Sequence, residues 1–89
     1  EGRIIMGDKV KTDIILKELN DIFYELTGDK TIELTIRSRL NASVGLTSLG
    51  FVQYICMIEE YYSIDVPNVD LHKIKKVKDL VKYIEKKKG

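Results

Sequence analysis

Eighty-nine residues, 44% hydrophobic and 33% charged, suit one globular domain with no room for a second. A chain this short buries only about 60 to 65% of its unfolded surface, so its core is thin, and a carrier or binding module is favoured over an enzyme with an enclosed active site. The single cysteine, Cys56, excludes an internal disulfide, no apolar run approaches the roughly 18 residues of a membrane span, and the formal net charge is only +1, so a cytoplasmic protein away from membranes is expected.

Residues 1–7 lack the long apolar core of a secretory signal, and Met6 fits a native start preceded by vector-derived residues. They are read as a tail outside the fold, with 8–89 as the domain. Between Thr12 and Thr27, Ile15, Leu19, Ile22, Phe23 and Leu26 recur on one face of an amphipathic helix. Thr12 is its expected N-cap, Asp13 sits in its first turn, and Gly28 stands where a left-handed residue would end it. From Asp29 to Thr47 no helical period survives. Ile32, Leu34 and Ile36 alternate as a strand would, but with no partner strand the stretch reads as a long ordered loop whose Ile36 and Leu40 enter the core.

A second helix is predicted from Ser48 or Leu49 to Tyr62, and it bears two apolar stripes. Phe51, Ile55, Ile58 and Tyr62 form the one assigned to the core, while Leu49, Val52 and Cys56, continued by Glu60, form the other. The second stripe is either buried between neighbouring helices or a contact surface for another molecule. Pro67 breaks the pattern and biases Val66 away from helical angles. Asp70 is then expected to cap a short turn reaching Ile74, and Val77, Leu80, Val81 and Ile84 trace the inner face of a last helix to about Lys87. The expected architecture is an all-α four-helix bundle, with three main helices, one short one, and a long loop between the first two.

Charge is segregated along this bundle. Residues 1–70 hold seven Lys or Arg against twelve Asp or Glu, whereas residues 71–89 hold eight against two. Lys86, Lys87 and Lys88 read as a solvated helix end complementing the C-terminal dipole. No aromatic residues interleave with them as a nucleic-acid surface would require, so no nucleic-acid partner is expected. His72, the only histidine, is expected at the surface of the short helix. Cys56 has no base assignable from sequence, which favours a packing or partner-facing thiol over a nucleophile, and no metal site is expected.

The segment Val44-Gly45-Leu46-Thr47-Ser48-Leu49-Gly50-Phe51 places the Ser48 hydroxyl where a glycine-containing loop meets a helix start. Helix N-termini present unpaired amides and partial positive charge, which suits a phosphate lying beside them, although an N-capping serine is the plainer use of such a residue. Downstream follow Glu59-Glu60-Tyr61-Tyr62, then Val66-Pro67, the short turn and the last amphipathic helix. With Thr47-Ser48-Leu49, this arrangement resembles the acyl carrier and peptidyl carrier family, whose signature is Asp-Ser-Leu at the start of the second helix, a Glu-Glu-hydrophobic run and an Ile/Val-Pro. The pattern overlies residues 36 to 84 without a gap.

The resemblance implies that Ser48 receives 4'-phosphopantetheine from coenzyme A through a phosphopantetheinyl transferase. It also implies a monomeric, non-catalytic carrier that tethers thioester intermediates in fatty-acid, polyketide or nonribosomal peptide biosynthesis, serving acyl- or aminoacyl-loading and condensing enzymes. Tethering raises effective concentration, the physical reason for such an arm. Thr47, Leu49, Val52, Cys56 and Glu60 flank Ser48 on one side and form the expected partner-binding set. Thr47 stands where many members have aspartate, and Gly50 and Gln53 leave the upper second helix less acidic than in fatty-acid carriers, which inclines the reading towards a dedicated pathway. The competing expectation is an unmodified helical interaction module that has lost the arm.

Overall fold

A computed structural model describes the backbone of residues 2–88 and the side chains of residues 11–88. Four helices appear in chain order: α1 (Gly2–Thr27), α2 (Ser48–Tyr62), α3 (Asn68–Leu71) and α4 (Val77–Lys88). A single 3-10 turn, Ala42–Val44, interrupts the loop after α1. The all-α bundle is as expected, and the sole β feature among the described residues is an isolated bridge between Arg39 and Lys76.

The α1 face is the predicted one: Leu19, Ile22 and Phe23 are buried, with Ile15 and Leu26 packed against the core. Gly28 has φ 71° and its amide donates to the Tyr24 carbonyl at 2.6 Å, the expected left-handed ending. The start of the helix differs from expectation. Helical backbone runs well upstream of Thr12, so Thr12 is no cap; its hydroxyl donates to Glu85 Oε2 on α4 at 3.1 Å.

The loop enters the core through Leu34 and Leu40, whereas Ile36 is 41% exposed, contrary to the sequence expectation. Asn20 on α1 is the reason for Leu34: its Oδ1 accepts from the Leu34 amide at 2.7 Å and its Nδ2 donates to the Leu34 carbonyl at 3.0 Å. One side-chain amide thus supplies both bonds a neighbouring strand would have made, and Leu34 is turned fully inward. Ile36 serves α4 through its backbone instead. The carbonyls of Ser38 and Ile36 accept from the amides of Val77 and Lys78 at 2.9 and 3.0 Å, satisfying two of the orphan donors at the start of α4. Asp79 takes the amides of Lys75 and Lys76, and those bonds hold its carboxyl below the usual carboxylate range.

On α2, Ile55, Ile58 and Tyr62 are buried as expected and Phe51 is half-buried against the core. Tyr54 joins them unpredicted and wholly buried. Its hydroxyl donates to the Leu19 carbonyl at 2.7 Å and its ring meets Phe23 edge to face at 5.5 Å. Burial pushes the Tyr54 hydroxyl pKa up, keeping it a donor. The Tyr62 hydroxyl, raised chiefly by burial, donates to Glu18 Oε1 at 2.6 Å, a second tie between α1 and α2.

Ser63, with φ 55°, ends α2, and Glu59 Oε2 accepts from the Val66 amide at 2.7 Å, pinning the chain before Pro67. Asp70 lies inside the first turn of α3 and does not cap it; α3 starts after Pro67 and stops at Leu71, short of the predicted Ile74. The Asp70 carboxylate instead accepts from the Tyr83 hydroxyl at 2.7 Å and pairs with Lys73 at 3.7 Å, the one salt bridge among the described residues. Val77, Leu80, Val81 and Ile84 of α4 are all buried. The elements are therefore held by an apolar core and a few neutral or singly charged hydrogen bonds, with little contribution from ion pairs.

Candidate functional site

The approach to α2 is organised by Asn41. Its Oδ1 accepts from both the amide and the hydroxyl of Ser43, at 2.9 and 2.7 Å, and its carbonyl accepts from the Leu46 amide at 3.1 Å. Gly45 takes φ 82°, a left-handed conformation costly for residues with a side chain, which lets the loop reverse so that Leu46 enters the core. The chain then extends at Thr47, whose Oγ1 accepts from the Gly50 amide at 3.0 Å. Thr47 is the N-cap, and the capping role weighed for Ser48 falls to its neighbour.

Ser48 is consequently the first residue within α2. Its side chain is exposed, and its hydroxyl has no hydrogen-bond partner among the described residues. The Ser48 and Leu49 amides have no intrahelical partner, and no acidic residue in the first turn offsets the positive end of the helix dipole. From Thr47 and Ser48 an open groove of about 570 Å³ runs over Leu46, Phe51 and Leu71 to His72. His72 is exposed as expected, although it follows α3 and is not part of it. Sequence reasoning had no signal that His72 and Ser48 share a groove, because 24 positions separate them along the chain.

The second stripe of α2 is an exposed face. Leu49 is 67% and Val52 45% exposed, and Cys56 and Glu60 are exposed beyond them. Of the acidic pair, Glu59 is committed to the Val66 amide and Glu60 alone faces outward. Among the described residues no cluster of His, Cys, Asp and Glu suits a metal ion, and no helix is long and apolar enough to cross a membrane.

Thr47 accounts for a departure from the expected signature. It performs the capping that an aspartate would perform there, without the charge. Thr47→Ala is expected to cost about 1 kcal/mol, and Thr47→Asp to leave stability within roughly 0.5 kcal/mol of the parent, because a carboxylate caps as well and suits the dipole. Urea melts of the two variants read this directly; a Thr47→Ala chain as stable as the parent would show that the hydroxyl bond to Gly50 contributes nothing.

A covalently attached phosphodiester needs a reachable hydroxyl free of competing bonds, donors facing the phosphate, and space for an arm to leave along the surface. Ser48, the first-turn amides of α2 and the groove meet these three needs. The family described as "Phosphopantetheine attachment site" matches residues 17–84, a span that contains Ser48, the groove and the core faces of α2 and α4. The acyl carrier protein of Rickettsia bellii (strain RML369-C) is 35% identical over 79 residues, covering 89% of this chain and 92% of the relative. Those of Thermotoga maritima and Rhodococcus erythropolis are each 33% identical, over 75 and 72 residues, covering 84% and 81% of this chain and 93% and 79% of the relatives. The chain belongs to the acyl carrier protein family, whose phosphopantetheine-binding domain is a non-catalytic carrier holding 4'-phosphopantetheine covalently.

Proposed function

We propose that Ser48 is the attachment residue, joined through its Oγ to 4'-phosphopantetheine taken from coenzyme A by a phosphopantetheinyl transferase, and that the chain passes acyl groups between biosynthetic enzymes in the cytoplasm. The observation that carries this reading is the division of labour at the start of α2: Thr47 caps the helix and leaves the exposed Ser48 hydroxyl unbonded. When bound, the arm supplies a terminal thiol on which an acyl group is held as a thioester. The protein's own part is to present the arm on a rigid helix end and to offer surfaces to its partners. The names of the relatives favour acyl over aminoacyl cargo. Thr47, Gly50 and Gln53, uncharged along the upper turns of α2, favour enzymes of a dedicated pathway over those serving general fatty-acid synthesis.

The direct test is intact mass after incubation with coenzyme A, Mg²⁺ and a broad-specificity transferase, beside a standard carrier. A gain of one arm is expected. An unchanged mass while the standard is modified would favour the unmodified interaction module.

Partner docking is proposed on Thr47, Leu49, Val52, Cys56 and Glu60, since an enzyme receiving the arm must bind within its reach. A small apolar stripe ending in a carboxylate suits weak, releasable association. Val52→Asp and Glu60→Lys are expected to slow modification or loading several-fold with unchanged far-ultraviolet circular dichroism. The Glu60→Lys effect should fade at high salt, because it acts on encounter rate. Parental rates in both folded variants would move docking elsewhere on the bundle.

A further inference from the structure

The groove beside Ser48 is lined by uncharged side chains except at one position. Leu40, Leu46, Phe51 and Val52 are apolar, Asn41 and Thr47 are polar and neutral, and α2 has no charged residue before Glu59. Among the described residues His72 is therefore the one titratable group that shares the groove with Ser48. The charged groups around it are engaged elsewhere or are cations. Asp70 is bonded to the Tyr83 hydroxyl and to Lys73, Lys75 and Lys76 follow on the same segment, and Arg39 lies across the bridge from Lys76. Among the described residues no free carboxylate lines the groove to pair with a protonated His72. An anion would complete the site, and the chemistry assigned to Ser48 brings one: a phosphodiester, anionic across the range in which an imidazole titrates.

We propose that His72 is a positioning residue for the arm, its imidazolium pairing with the phosphodiester carried on Ser48, so that the root of the arm is held against the groove while the ring is protonated and released when it is not. The inference rests on Ser48 being the attachment residue. The first-turn amides of α2 and His72 would then both serve the phosphate, the amides at any protonation state and the imidazole only as the cation. The consequence is local: protonation biases the direction in which the arm leaves the helix end without altering the bundle.

Because His72 is the only histidine, nuclear magnetic resonance reads its titration without assignment ambiguity. The chain is titrated before and after modification, with the attachment residue mapped by peptide mass spectrometry. The His72 titration is expected to move to higher pH on modification, the direction an anion in the same groove produces, and to lose most of that movement in about 1 M salt. The phosphorus resonance of the modified chain should follow the same titration and cease to do so in His72→Gln. Modification mapped to Ser48 with an unmoved His72 titration overturns the inference and leaves the attachment site intact. Modification that is absent or mapped elsewhere overturns the attachment site itself, and the inference with it.

Discussion

Ser48→Ala is expected to abolish attachment of the arm completely while leaving the unfolding free energy within about 1 kcal/mol of the parent. The two halves of this result have separate causes. Attachment is lost because the only other hydroxyls near the helix start are already committed: Thr47 Oγ1 accepts from the Gly50 amide at 3.0 Å, and the Ser43 hydroxyl donates to Asn41 Oδ1 at 2.7 Å. Stability is kept because the cap of α2 belongs to Thr47, and the first position inside a helix tolerates alanine. A capping Ser48 would instead lose roughly 1 kcal/mol or more on the same substitution. Intact mass and a urea melt on one preparation read both outcomes. An arm still attached to the alanine chain, mapped to Thr47 or Ser43, would falsify the site assignment.

Faces made from repeated apolar positions are readable in the sequence alone. Leu19, Ile22 and Phe23 on α1, and Val77, Leu80, Val81 and Ile84 on α4, recur at helical spacing and all face inward. The two stripes of α2 are readable as stripes, yet their periodicity alone leaves the second one's burial open; in the fold it lies outside the core. What stayed hidden depended on partners distant in sequence. Thr12 has the local marks of a cap, but its hydroxyl finds Glu85, 73 positions away. Leu34 took the core position assigned to Ile36 because Asn20 clamps both of its backbone groups from α1. Tyr54 carries a hydroxyl that argues for the surface until the Leu19 carbonyl is seen to receive it. At the site itself two neighbouring residues compete for one role. Thr47 and Ser48 are both good caps by type, and only the bond to Gly50 separates the capping residue from the free one.

The largest stability effects are expected on the inner face of α2. Ile58→Ala and Ile55→Ala should each cost roughly 2 to 5 kcal/mol, since both side chains are buried in the one core cluster that residues of α1, α2 and α4 share. At about 0.05 to 0.15 kcal/mol per residue, a domain of this length is stable by roughly 5 to 13 kcal/mol, so either substitution removes a large share and the upper end would unfold much of the population. Tyr54→Phe keeps the ring against Phe23 and removes only the bond to Leu19, for which about 1 kcal/mol is expected. Val52→Ala, on the exposed stripe of the same helix, should stay within about 0.5 kcal/mol. Urea melts of the four variants therefore rank the two faces of one helix against each other. If Val52→Ala destabilised as much as Ile58→Ala, the exposed stripe would be part of the core, and the docking surface proposed beside Ser48 would have to be given up with it.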